Sequence, residues 1–134
     1  MQSQKLSRIV YISAFYDLIV TAPFASPWSA RWLSDQLMNV HERLNWSGSA
    51  PSLSDPLALL FANLMGTIVL IWAVVRLRSP TLEFGLYDTV ARVLFSSWML
   101  YALLNGGSEV LVHFIVAEVS WAVVQGAALY HAQC

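Results

Sequence analysis

Four segments of the chain are apolar at most positions, and a more polar stretch separates the first two of them. They cover residues 7–24, 57–76, 80–104 and 108–130. Each is close to the length of about 20 residues that a helix needs to cross a hydrocarbon core of about 30 Å. The pattern predicts an all-α integral membrane protein, with one transmembrane domain over residues 1–134 that forms an antiparallel bundle of four transmembrane helices.

Residue types that start and stop helices support these boundaries. Asp55 and Pro56 form a typical N-cap and first helical position, and the 19 residues of Leu57–Val75 carry no charge. Ser79 and Pro80 end that segment and are expected to start the third one. Asn105, Gly106 and Gly107 predict a tight turn. The last two segments are therefore expected to form a helical hairpin.

The stretch between the first two spans has a helical pattern of its own over residues 27–44. Apolar residues recur at spacings of three and four, which is typical of an amphipathic helix. They are Trp28, Trp32, Leu33, Leu37, Val40 and Leu44. Tryptophan on the apolar side suits a helix that lies in the headgroup region. We expect an interfacial helix here, between transmembrane helices 1 and 2.

Composition agrees with a membrane protein. Hydrophobic residues make up 57% of the chain and charged residues 11%, and its mean hydropathy is +0.59. Soluble domains average about 25% charged residues. The net charge of −1 and the absence of basic runs exclude a nucleic-acid partner. No phosphate-binding or dinucleotide-binding glycine motif occurs, and the single cysteine, Cys134, excludes a disulfide.

Basic residues suggest an orientation in the bilayer. Lys5, Arg8, Arg76 and Arg78 flank one side of the predicted bundle, whereas Arg31 and Arg43 flank the other. Because cytoplasmic loops carry an excess of Lys and Arg, both termini are expected in the cytoplasm, and a bacterial inner membrane is the expected location. The first segment lacks a signal-peptide cleavage pattern and is interrupted by Asp17, so we expect it to be retained as a helix.

Charged residues within the spans are the strongest functional signal. Asp17, Asp88, Arg92 and Glu118 fall within three different apolar segments. With a rise of about 1.5 Å per residue, Asp17, Arg92 and Glu118 lie about 14–20 Å from the same membrane face. Asp88 precedes Arg92 by one helical turn. These four residues predict a buried polar layer with three carboxylates and one guanidinium, a net charge of −2, and coupled titration.

Further polar residues are expected near this layer. Asn63 on the second span, and Trp121 and Gln125 on the fourth, complete the predicted ligand-binding set, and Gly66 is expected to permit close helix contact. Glu109 and His113 are expected to pair across one helical turn. The three histidines lie far apart along the predicted bundle, so neither a metal site nor a cofactor is expected.

Three functions fit this pattern. The chain is expected to bind a lipophilic or cationic small molecule, or a lipid, with its carboxylates as counter-ions. One alternative is an accessory subunit of a larger membrane complex, whose buried charges fix helix register. The other is a membrane-embedded acid–base isomerase or cyclase of a lipophilic substrate. The sequence leaves open whether it is an enzyme, and whether it forms a homodimer or binds a membrane-protein partner.

Overall fold

The computed structural model describes residues 2–133, which form five α-helices and no extended strand. The α-helices are α1 Gln2–Thr21, α2 Pro27–Arg43, α3 Pro56–Arg78, α4 Leu82–Leu104 and α5 Val110–Gln133, and the 3-10 turn Ala22–Ala25 joins α1 to α2. Three segments within residues 2–133 are long and apolar enough to cross a membrane: Gln4–Ala25, Pro56–Arg78 and Val110–Gln133. The fold is therefore that of an all-helical membrane protein. Cys134 lies outside the described residues.

Helix α4 is as long as α3, at 23 residues, but is not among these three segments. Its polar residues Glu83, Asp88 and Arg92 interrupt the apolar run. It also starts two residues later than the predicted position 80. Thr81 is its N-cap, because the Thr81 hydroxyl accepts a hydrogen bond from the backbone N–H of Phe84 at 3.2 Å.

The predicted start of α3 is confirmed. One carboxylate oxygen of Asp55 accepts a hydrogen bond from the backbone N–H of Ala58 at 2.8 Å, and Pro56 occupies the first helical position. The predicted turn between the last two helices is confirmed as well. Gly106 there has a φ of +92°, a conformation that glycine adopts without a steric penalty.

Helix α1 lies at the centre of the bundle and packs against α3, α4 and α5, while α4 and α5 form a closely packed hairpin. We call the two ends of the bundle the Pro80 end and the α2 end. At the Pro80 end, Leu6 and Val10 of α1 and Leu129 of α5 form a small buried core. Gly85 of α4 lies against Val10 and Leu129, which lets these helices approach closely.

Gly66 has the close-packing role that the sequence predicted, although its neighbour is the 3-10 turn. A side chain at position 66 would meet the backbone of Phe24 at 2.5 Å. The amide of Asn63 donates a hydrogen bond to the backbone carbonyl of Phe24 at 2.9 Å. Asn63 and Gly66 therefore dock this turn onto α3.

At the α2 end, α2 covers the bundle with a face that differs from its apolar side. Its buried residues are Ala30, Ser34 and His41, whereas Trp28 and Trp32 are 80% and 61% exposed. Small side chains allow the close approach of α2, and the large tryptophans remain outside.

A second set of contacts at this end, which we call the clasp, joins the loop after α2 to the start of α5. The ring Nδ1 of His41 and the hydroxyl of Ser108 lie 2.7 Å apart, and Ser47 donates to the carboxylate of Glu109 at 2.6 Å. The ring of Trp46 lies 5.0 Å from that of His113.

The predicted pairing of Glu109 with His113 is wrong. Glu109 pairs with the loop serine, and His113 packs against the loop tryptophan. The reason is that the loop folds back over the start of α5 and supplies a closer partner for each residue. The backbone N–H of Glu109 also donates to the carbonyl of Ser47 at 3.1 Å, which fixes the loop in this position.

Candidate functional site

Every one of the four long helices contributes to a buried cluster of charged and polar side chains, which we call the ion network. Its charged members are Asp17 of α1, Arg76 of α3, Asp88 and Arg92 of α4, and Glu118 of α5. Its neutral members are Ser13 of α1, Trp72 of α3 and Gln125 of α5. The predicted polar layer thus gathers Asp17, Asp88, Arg92, Glu118 and Gln125.

Asp17 connects the two arginines. Its Oδ2 accepts from Nη2 of Arg76 at 2.5 Å and from Nη2 of Arg92 at 2.7 Å. Both arginines are almost fully enclosed, with side-chain exposures of 0% and 2%. Because charge-assisted hydrogen bonds strengthen where water is excluded, this carboxylate holds α1 to both α3 and α4.

Asp88 is the most completely paired carboxylate of the ion network. Its Oδ2 forms an ion pair with Nη1 of Arg76 at 2.8 Å, and it accepts hydrogen bonds from Nε of Arg92 at 3.0 Å and from the amide of Gln125 at 3.0 Å. Its Oδ1 accepts from the indole N–H of Trp72 at 3.0 Å. Since the hydroxyl of Ser13 on α1 also donates to Oδ2 at 3.4 Å, side chains from all four long helices contact Asp88.

The hydroxyl of Ser13 fills the remaining space between these groups. It accepts from Nη2 of Arg92 at 2.7 Å and lies 3.4 Å from both Nη1 of Arg76 and Oδ2 of Asp88. Ser13 itself is fully buried. A small hydroxyl at this position lets the two guanidinium groups and Asp88 approach one another.

Glu118 lies at the edge of the ion network and is the least enclosed of its charged groups. Its Oε2 accepts from Nη1 of Arg92 at 2.8 Å, and its side chain is 17% exposed, compared with 4% for Asp88. In the described part of the chain, the Asp17 carboxylate accepts hydrogen bonds through one oxygen only, and so does the Glu118 carboxylate. The second oxygen of each is available to another donor.

Aromatic rings border this edge. The Trp121 ring, one turn after Glu118 on α5, lies 5.7 Å from the ring of Tyr16 on α1. The guanidinium carbon of Arg92 lies 5.9 Å from the centre of the same Trp121 ring. Trp121 therefore borders the ion network and supplies an apolar surface next to the carboxylates.

Arg76, the second arginine of the ion network, is not among the residues that the sequence predicts for the buried layer. We expected it to flank the membrane beside Arg78, but its side chain turns into the bundle and contacts two carboxylates. The Trp72 ring, one turn earlier, lies 5.5 Å from its guanidinium carbon. Residues two apart on a helix point in nearly opposite directions, and this spacing is the signal that Arg76 and Arg78 face different surroundings.

This second arginine corrects the predicted charge of the layer. Two guanidinium groups, Arg76 and Arg92, face three carboxylates, so the formal charge is −1 and not −2. The two arginines each pair with both aspartates, which leaves Glu118 as the excess carboxylate. An uncompensated charge at this depth is costly. A cation or a hydrogen-bond donor beside Glu118 would therefore be stabilising.

Asn63, which was predicted to belong to the site, lies apart from the ion network, because its amide bonds to the 3-10 turn at Phe24.

Two buried side-chain atoms have no hydrogen-bond partner within the described residues. They are Nε of Arg76 and Oε1 of Gln125. The Gln125 amide nitrogen, in contrast, donates to Asp88, to Thr89 and to the carbonyl of Gly85. Gln125 thereby orients Asp88 from the side of α5.

Comparison of the chain with protein families, curated proteins and solved structures gives no match.

Proposed function

We propose that the chain is a four-span membrane protein that binds a lipophilic molecule with a cationic or hydrogen-bond-donating head group. Helix α4 is the fourth span. It has the length of α3 and packs along α5, and Asp88 and Arg92, the two charges beyond its first turn, are paired inside the bundle. Paired charges on an interior face are compatible with a membrane span.

In this arrangement α2 lies in the headgroup region at the α2 end. The exposed rings of Trp28 and Trp32 support this position, because tryptophan favours the interface between lipid and water. The Pro80 end then carries the exposed basic residues Lys5, Arg8 and Arg78, and α2 carries Arg31 and Arg43. Since Arg76 belongs to the ion network, the excess is three to two, which favours cytoplasmic termini in a bacterial inner membrane.

The observation that carries the binding proposal is the contrast between Asp88 and Glu118. Asp88 has donors from four helices, whereas Glu118 has one partner and a more exposed side chain. The free oxygens of Asp17 and Glu118 would meet the head group of the ligand. The rings of Tyr16 and Trp121 would cover its apolar part. A cationic head group would also balance the excess negative charge of the ion network.

The test is native mass spectrometry of the protein purified in mild detergent. We expect the wild-type protein to carry an added small mass, and Glu118→Gln to lose it, because the amide can still accept from Arg92 but no longer attracts a cation. Glu83→Gln is the matched control, since Glu83 is an exposed carboxylate in the first turn of α4. That control should keep the ligand.

Other outcomes would overturn the proposal in identifiable ways. A second protein at fixed stoichiometry would assign the chain to a larger complex as an accessory subunit. A bare monomer or homodimer in the wild type would leave the ion network with a structural role. Ligand loss in both glutamate variants would show that binding does not depend on Glu118. Turnover of the bound molecule in detergent would instead indicate the acid–base enzyme.

A further inference from the structure

Three exposed basic residues lie at the Pro80 end, away from the ion network. Lys5 and Arg8 are on successive turns of α1, and Arg78 is in the last turn of α3. The hydroxyl of Ser7 donates to the carbonyl of Pro80 at 3.0 Å, which brings the start of α1 beside the linker that follows Arg78. In the described part of the chain, none of these three cations forms an ion pair.

A shallow groove of about 270 Å³ begins at Arg8. It is lined by Ser7, Arg8, Tyr11, Ile12 and Pro80. Tyr11 and Ile12 are 49% and 55% exposed, and both lie on the part of α1 that follows Arg8 into the predicted membrane. The lining surface of the groove is apolar, and Arg8 contributes the apolar part of its side chain at the membrane-surface end, above Tyr11 and Ile12.

We propose that this groove binds an anionic phospholipid. The phosphate would lie against Arg8, with Lys5 and Arg78 close enough to add their charge, and one acyl chain would run over Tyr11 and Ile12. Charge complementarity selects this occupant, because unpaired cations at a membrane surface attract anionic headgroups, and the apolar groove below them fits an acyl chain. This site is separate from the ion network and does not rest on ligand binding at Glu118.

The carboxylate of Glu83 is also exposed at this end, in the first turn of α4. It forms no ion pair with Lys5, Arg8 or Arg78 among the described residues. The three cations therefore remain available to an anion, which a fixed surface ion pair would have prevented.

The experiment is a titration of the delipidated protein in detergent, followed by native mass spectrometry, with either phosphatidylglycerol or phosphatidylcholine. We expect tighter binding of phosphatidylglycerol. The variant Lys5→Gln/Arg8→Gln/Arg78→Gln should lose this preference, by about fivefold for each basic residue removed. Soluble glycerol phosphate should not compete, because it lacks an acyl chain.

Matched variants make the result specific. Arg31→Gln/Arg43→Gln removes two exposed arginines from α2 and should keep the preference for phosphatidylglycerol. Glu118→Gln should also keep it, whatever happens to a ligand of the ion network. Equal binding of the two lipids by the wild type would overturn the proposal. The proposal would also be overturned if the α2 variant lost the preference for phosphatidylglycerol as much as the Pro80-end variant does. Competition by glycerol phosphate would overturn the lipid site in favour of a site for free phosphate.

Discussion

The ion network and the clasp both join the α1–α3 part of the chain to the α4–α5 hairpin, but they use different chemistry. The ion network lies within the bundle and consists of charged groups that are almost fully enclosed. The clasp lies at the α2 end and consists of neutral hydrogen bonds, one ring contact and the exposed carboxylate of Glu109. The first connection is costly to break from one side, whereas the second combines one buried hydrogen bond, between His41 and Ser108, with contacts at the protein surface.

The difference shows what each connection contributes. A buried charge that loses its partner keeps its desolvation cost, so the members of the ion network depend on one another. Loss of one hydrogen bond of the clasp costs less, because it does not break a buried ion pair. We therefore expect substitutions in the ion network to affect the whole bundle, and substitutions in the clasp to affect mainly the α2 end.

The largest effect is expected for Arg76→Met. This substitution leaves Asp17 and Asp88 with a single guanidinium, and the formal charge of the ion network becomes more negative, from −1 to −2. We expect a loss of about 3–5 kcal/mol in the free energy of unfolding, because a buried ion pair is broken from one side. Unfolding of the purified protein in detergent, followed by circular dichroism, measures this loss.

Arg78→Met is the control for this prediction, since Arg78 is exposed two residues further along the same helix. It should change the unfolding free energy by less than about 0.5 kcal/mol. Adding Asp17→Asn to Arg76→Met should recover part of the lost stability by removing one unpaired carboxylate. Similar stabilities for the two arginine variants would contradict the assignment of Arg76 to the ion network.

A smaller effect is expected for Ser108→Ala in the clasp. The change leaves the ring Nδ1 of His41 without its partner and removes the hydroxyl that accepts from the backbone N–H of Val110. Loss of one buried hydrogen bond costs about 1–2 kcal/mol, and the unfolding free energy should fall by that amount. Ser120→Ala is the control, because Ser120 is exposed on α5 and its hydroxyl bonds back to the carbonyl of Val116. An equal loss in both variants would show that the contact with His41 adds nothing.

The smallest effect concerns the response of the clasp to pH. The hydrogen bond from Ser47 holds the pKa of the Glu109 carboxyl below its usual value. A carboxyl whose pKa is lowered by folding contributes stability above its unfolded pKa, and this contribution is lost as the pH falls through the folded value. The melting temperature of the wild type should therefore fall slightly relative to that of Glu109→Gln between about pH 6 and about pH 3. A constant difference between the two proteins over this range would contradict the prediction.

Much of the fold is readable from the sequence because helix boundaries have local chemical signals. Asp55 and Pro56 identify the start of α3, and the glycines at 106 and 107 identify the hairpin turn. The burial of Asp17, Asp88, Arg92 and Glu118 in one layer follows from their depth along the helices.

Rotation of each helix about its axis is harder to predict. Apolar residues surround most of α3, and lipid-facing and interior positions have similar composition in a membrane helix. The sequence therefore did not show that Arg76 faces inward. It also did not show that Asn63 faces the turn at Phe24, because this contact depends on where the chain folds back after α1.

In the proposed four-span arrangement, the order in which the helices are synthesised gives α4 a particular route into the bilayer. Asp88 and Arg92 place two charges within α4, which is not among the three segments apolar enough to span a membrane, and an isolated α4 would cross the membrane at a considerable energetic cost. Asp17 and Arg76 precede it along the chain, so both aspartates and both arginines exist once α4 has been made. We expect α4 to enter the membrane against α1 and α3, with α5 and Glu118 completing the assembly last.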